Sequence, residues 1–138
     1  MSKRKKVVCI TVLILIAMIG VSMFFNPLLL RTQRGIHRQL LRLTPLGTSV
    51  EEVIYIADNN PNWEVGTLWE DRGILHSLVW HAYSYNSPPF PEYIGEQYVR
   101  IHLGSYYFIT RVGVVAHYVF DENGELIDIF VRKHIDLL

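Results

Sequence analysis

Apolar residues along this chain follow three different rhythms. From Val7 to Phe25 (VVCITVLILIAMIGVSMFF) there is no charge at all, and the uncharged stretch runs on to Leu30. About 20 apolar residues cross a hydrocarbon core as a helix, the one segment geometry that satisfies its own backbone there, so this run predicts a transmembrane anchor over 7–25. A cleaved signal peptide would share the basic start, but the run is long and SMFFNPLLLR, which follows it, offers no small-x-small cleavage site. Beyond Pro27 the rhythm becomes helical over 28–43. Leu29, Ile36, Leu40 and Leu43 occupy one arc, and Arg31, Arg34, Arg38 and Arg42, spaced 3, 4 and 4, form a stripe almost opposite.

The remainder, 44–138, reads as one α+β domain. Thr48-Ser49-Val50-Glu51-Glu52 holds two overlapping capping boxes, Thr48 with Glu51 and Ser49 with Glu52, and predicts a helix over 49–58 that buries Val50, Val53, Ile54 and Ala57. Asn59-Asn60-Pro61 ends it. A short strand is expected over 63–68. Ile74, Leu75, Leu78, Val79 and Ala82 fit helical spacing better than alternation, with Asp71 as N-cap, although Gly73 weakens that pattern. Ser87-Pro88-Pro89-Phe90-Pro91 must be a stiff loop, because proline removes donors and fixes φ. Then alternation takes over: 97–103 with Val99, Ile101 and Leu103 on one face, 111–120, and 126–134. Asp121-Glu122-Asn123-Gly124 is a tight turn. A two-residue Asn-Gly loop pairs Phe120 with Ile127, Tyr118 with Ile129 and Ala116 with Val131, whereas a three-residue loop with a bulge at Gly124 shifts the register by one. The expected fold class is therefore α+β: an N-terminal transmembrane helix, then helices packed on a mostly antiparallel sheet of three to four strands.

Charge changes this picture in one respect. The formal charges cancel over 138 residues, yet every one of Lys3, Arg4, Lys5, Lys6, Arg31, Arg34, Arg38 and Arg42 precedes residue 43 and no acid does. From there on, five basic residues (Arg72, Arg100, Arg111, Arg132, Lys133) stand against all 13 acids, a formal net of −8. The chain divides into a basic tail over 1–6, the anchor, a basic amphipathic helix over 28–43 and an acidic head over 44–138. An acidic head argues against nucleic acid, whose binding needs clustered Lys and Arg. The densest basic cluster is N-terminal, which places the N-terminus in the cytoplasm and the domain outside it. Arg31, Arg34, Arg38 and Arg42 are then candidate contacts to anionic headgroups. The lone cysteine, Cys9, has no partner in the chain; it stands in the apolar run either as an acylation site or simply facing lipid.

No catalytic constellation is legible. Glu51 and Glu52 point about 100° apart on a first helical turn and serve that turn. His76 and His81 are five apart, and His102, His117 and His134 sit singly in separate strands, with the cross-strand pair of His117 and His134 as the one metal-like arrangement to weigh. No enzyme activity, cofactor, metal or small-molecule substrate is expected. The better lead is aromatic. Tyr83, Tyr85, Phe90, Tyr93, Tyr106 and Tyr107 lie in or near predicted loops, and aromatics bury much area for little rotamer entropy, so they are candidate partner-binding residues.

The run Ile101-x-Leu103-Gly104-x-Tyr106, then Val115-Ala116-x-Tyr118-x-Phe120-Asp121-Glu122-Asn123-Gly124-x-Leu126-Ile127-Asp128 and Val131-x-Lys133-x-x-Asp136-x-Leu138, resembles a family of small uncharacterised bacterial domains that are secreted or membrane-attached. More loosely, the helix opened by Gly47-Thr48-Ser49-Val50-Glu51-Glu52-Val53 before an antiparallel sheet looks like the SmpA/OmlA outer-membrane assembly lipoprotein and β-lactamase-inhibitor-like architecture. The chain lacks that pattern's lipid-attachment cysteine after the hydrophobic run. The resemblance implies an envelope protein and brings no catalytic residue. The functional expectation is a membrane-anchored, extracytoplasmic, non-catalytic module for protein binding or assembly, or alternatively an inhibitor or immunity-type protein acting on an envelope enzyme.

Overall fold

A computed structural model describes residues 3–24, 26–75, 93–107 and 109–136, with side chains throughout except at 3–6, 19–24 and 136. Helix α1 is Lys3–Phe24, and every described side chain of its apolar run, Val7 to Met18, is exposed. The anchor expected over 7–25 is corrected here: among the described residues no helix is long and apolar enough to cross a membrane. The single-pass topology and its cytoplasmic N-terminus with an extracytoplasmic domain, which rested on that anchor, are corrected with it.

Asn26-Pro27 starts a turn, in which Leu29 N donates to Asn26 O at 3.0 Å and Leu28 N to the Asn26 side chain at 3.1 Å. Proline suits the second position of such a turn. Helix α2 is accordingly shorter than its pattern, Gln33–Leu43, capped by Thr32, whose hydroxyl accepts from Gly35 N at 3.1 Å. Leu29, Ile36 and Leu40 are buried, but Leu43 is 44% exposed, because the helix closes there and Thr44 takes the inward position with its hydroxyl on Leu40 O. Helix α3, Val50–Asp58, uses one of the two capping boxes: Ser49 accepts from Glu52 N, while the Thr48 hydroxyl donates backward to Pro45 O.

The strands are β1 (Glu64–Trp69), β2 (Ile74–Leu75), β3 (Tyr93–Ile94), β4 (Gln97–Tyr107), β5 (Arg111–Phe120) and β6 (Leu126–Asp136). Four of them form an antiparallel sheet in the order β1-β4-β5-β6, and β2 pairs with β3 separately. The helix whose spacing began at Ile74 is corrected over its first residues, since Ile74 and Leu75 pair with Ile94 and Tyr93 as strand. Leu78, Val79 and Ala82 lie outside the described residues.

The β5–β6 hairpin reconciles both registers. Gly124 N donates to Asp121 O, and Gly124 sits at φ 74°, so the loop is the three-residue kind closed by a positive-φ glycine. Asp121 Oδ1 fastens it by accepting from Asn123 N and Glu125 N. Phe120 thus pairs with Leu126, and a second irregularity beside it restores Tyr118 to Ile129 and Ala116 to Val131. The hairpin tip also docks on the helix layer: Val50 N, an orphan donor of the first turn of α3, reaches Gly124 O, and Leu126 N reaches Thr48 O. One face of the sheet (Val99, Ile101, Leu103, Val114, Ala116, Tyr118, Phe120 and Ile129) packs with Leu29, Ile36, Leu40, Val53 and Ala57 of the helix layer as a single core.

Candidate binding site on the sheet face opposite helices α2 and α3

Strand alternation sends the intervening residues to the opposite face. In β4 these are Tyr98, Arg100 and His102; in β5, Gly113, Val115, His117 and Val119; in β6, Phe130, Arg132 and His134. At one end this face is roofed. The turn after β3 lies over Val119, which is fully buried, and Glu96 N donates to Phe120 O. At the β1 side it opens into a shallow cleft of about 310 Å³ lined by Glu64, Gly66, Thr67, Trp69, Arg100 and His102.

The β1–β4 ladder explains the shape. Glu64 pairs with His102 and Trp69 with Tyr98, but the register slips between Val65 and Leu68, so Gly66 and Thr67 bulge beside Arg100. Gly66 is needed for this approach, because a methyl group there would stand 2.9 Å from Arg100 O. Trp69 and Tyr98 stack in parallel, with centroids 4.5 Å apart and 7° between planes. The Tyr98 ring leans toward His117 at 6.2 Å and 46°.

The electrostatics follow from burial and from a convergence of cations. Burial raises the Tyr98 phenol, with Arg72 and then Arg100 working against it. His102 is lowered by burial, partly offset by Glu64, with His134, Arg100 and Arg111 adding to the lowering. His117 is pushed down to about 4 by burial first, then by Arg100 and Arg132, so its ring is neutral near pH 7. Its Nδ1 is buried with no hydrogen-bond partner among the described residues. His134 lies directly over Gly113, where any side chain would collide with the ring.

The residues singled out from sequence do not gather here. Arg31, Arg34, Arg38 and Arg42 are exposed on the turn before α2 and along α2 itself. Tyr83, Tyr85 and Phe90 lie outside the described residues. Tyr93 is exposed in β3, Tyr107 is 72% exposed at the far end of β4, and Tyr106 turns to the helix side of the sheet, where Lys133 Nζ sits 5.1 Å from its ring centre. The described members of that aromatic set are thus dispersed over two ends and two faces. His117 and His134 are not cross-strand neighbours either: His117 pairs with Phe130 and His134 with Gly113. Among the described residues no group of three His, Cys, Asp or Glu side chains could hold a metal ion.

Of the residues that do converge, Trp69, Tyr98, Arg100 and His102, the last three had a signal in QYVRIHL, where each polar or aromatic residue alternates with a core residue. What alternation could not supply was the neighbour, since pairing Trp69 with Tyr98 depends on the bulge at Gly66. A planar aromatic pair beside a guanidinium and an imidazole is equipped to hold a ligand through stacking and charge-assisted hydrogen bonds. Comparisons of the chain with protein-family models, with curated proteins and with solved structures gave no match.

Proposed function

We propose that the chain is a non-catalytic protein-binding module whose partner seats on the sheet face opposite α2 and α3, at the cleft between β1 and β4. The observation that supports this most is the Trp69–Tyr98 stack, held at the margin of an open cleft rather than inside the core. Tryptophan, tyrosine and arginine are the residues that concentrate binding energy at interfaces, and here Arg100 lies beside the pair.

The test is a photocrosslinking residue placed at Thr67, in the cleft, and separately at Tyr55, an exposed position on α3. A discrete protein adduct is expected from position 67, absent from position 55, and lost when Trp69→Ala is added. Adducts of equal yield from both positions, or none above background from 67, would remove the proposal.

A further inference from the structure

The domain as a whole is acidic, yet its arginines are sorted to one side. Of the five basic residues after residue 43, Arg100 lines the cleft. Arg132 stands opposite Val115 on the same side of the pleat and near enough to His117 to depress it. Arg111, at the start of β5 opposite Tyr107 and Asp136, donates Nε to Ser105 Oγ at 3.2 Å and bears on His102. Arg72 bears on Tyr98. The fifth, Lys133, points to the helix face, where its Nζ donates to Leu29 O and Arg31 O at 2.7 Å each.

Most of the described acids go elsewhere. Glu51, Glu52 and Asp58 are exposed on α3, Glu122 and Glu125 on the hairpin tip, and Asp128 reaches His37 of α2 at 3.5 Å; Glu64 lines the cleft, and Glu70 and Asp71 follow Trp69 at its margin. Like charges on one face repel, so gathering them serves an anion.

We propose that the partner segment received by this face is acidic: an extended stretch of polypeptide whose carboxylates meet Arg100 and Arg132 while the side chains that continue past Arg100, away from Arg132, rest on the Trp69–Tyr98 pair. This rests on the binding-module reading above and adds the chemical class of the partner. Two strand spacings and one same-face step separate Arg100 from Arg132, about 12 Å, and carboxylates four residues apart on an extended chain are about 13 Å apart. A nucleic acid fits less well. Its phosphates continue past this patch and meet the negative charge of the surrounding domain, whereas an acidic peptide can place carboxylates only where the arginines are.

The probe is a synthetic peptide alternating glutamate and valine, titrated against the full chain and read by tryptophan fluorescence and by anisotropy of a label on the peptide. The matched lysine–valine peptide and single-stranded oligothymidylate are the other arms. The glutamate peptide is expected to bind, the lysine peptide not to, and added salt to weaken binding about tenfold. Arg100→Gln and Arg132→Gln should each weaken it about fivefold. Arg38→Gln, on α2, should leave it unchanged, with circular dichroism showing all three variants folded. Equal binding of both peptides, tighter binding of the oligonucleotide, or an equal loss in Arg38→Gln would overturn the proposal. If the Thr67 adduct persists while the glutamate peptide fails, the face remains a binding site and its acidic partner is ruled out.

Discussion

The two faces of the sheet are made from the same strands and do different work. In β5, Val114, Ala116, Tyr118 and Phe120 face the helices, while Val115, His117 and Val119 face the other way, and the two valines are as inaccessible as the first set. On the helix side the neighbours are mostly aliphatic, and some polar groups are satisfied there: Lys133 closes the carbonyls of the turn before α2, and Thr44 closes α2. On the other side the neighbours are Tyr98, Arg100, His102, Arg132 and His134. A single alternation therefore yields one face of aliphatic and aromatic core contacts and one that mixes buried valines with titratable and cationic side chains. The difference is greatest at the β1 margin, where the bulge at Gly66 opens the cleft.

If that division holds, the largest loss of stability comes from the helix side. Phe120→Ala deletes a fully buried ring between the hairpin and the helix layer. Its expected cost is about 3–5 kcal/mol in urea unfolding, with no change in denaturation slope. Gly95→Ala should come next. Gly95 sits at φ 72°, and a methyl group there would collide with Val119 Cγ1 and stand 2.7 Å from Phe120 O. A left-handed backbone and an overfilled contact together predict a loss of about 2–3 kcal/mol, and the roof over Val119 should loosen first, as seen by faster hydrogen exchange at Glu96 N.

How much of this was legible depends on what each element needed to know. The strands β4, β5 and β6 could be read because alternation is local, and two of three hairpin pairs could be placed because Gly124 announces the turn. α3 could be placed from its capping residues. Ile74 and Leu75 could not, because their partners, Tyr93 and Ile94, are distant in sequence and helical spacing was the only local cue. The aromatic set Tyr93, Tyr106 and Tyr107 was picked by loop proximity, which carries no information about face; consecutive residues in a strand point apart, so Tyr106 and Tyr107 could not have acted together. The arginine sorting was open to view in the parity of Arg100 and Arg132, but it means something only once the strands are paired.

The acid limb of stability sharpens the comparison further, because the helix side offers no counterpart to His117. In the folded chain this imidazole is neutral, pushed down to about 4 by burial and by Arg100 and Arg132. The unfolded chain takes up its proton near 6.5. The stabilisation is therefore complete above about pH 6.5 and is lost as pH falls toward 4, a change on the order of 2 kcal/mol after allowance for partial exposure. His117→Leu should flatten the dependence of the urea midpoint on pH in that window while leaving the neutral-pH value nearly unchanged. Retention of the full acid limb would mean that the loss arises among the carboxylates and not on this face.

The smallest expected change in stability is the most discriminating. Trp69 stacks on Tyr98 but is only partly buried and lies outside the central packing of Tyr118 and Phe120. Removing it forfeits one stacked pair and some apolar area, so Trp69→Ala should cost about 1 kcal/mol, well under the cost of Phe120→Ala. The same substitution should abolish the adduct from Thr67, because the aromatic platform is what a partner would rest on. Stability and binding then separate along the two sides of one sheet. Should Trp69→Ala unfold the chain as readily as Phe120→Ala, the stack would belong to the core. The arginines beside it would then be the rim of a structural cluster, and the division between a stabilising and a presenting face would fail at the place where it is most clearly drawn.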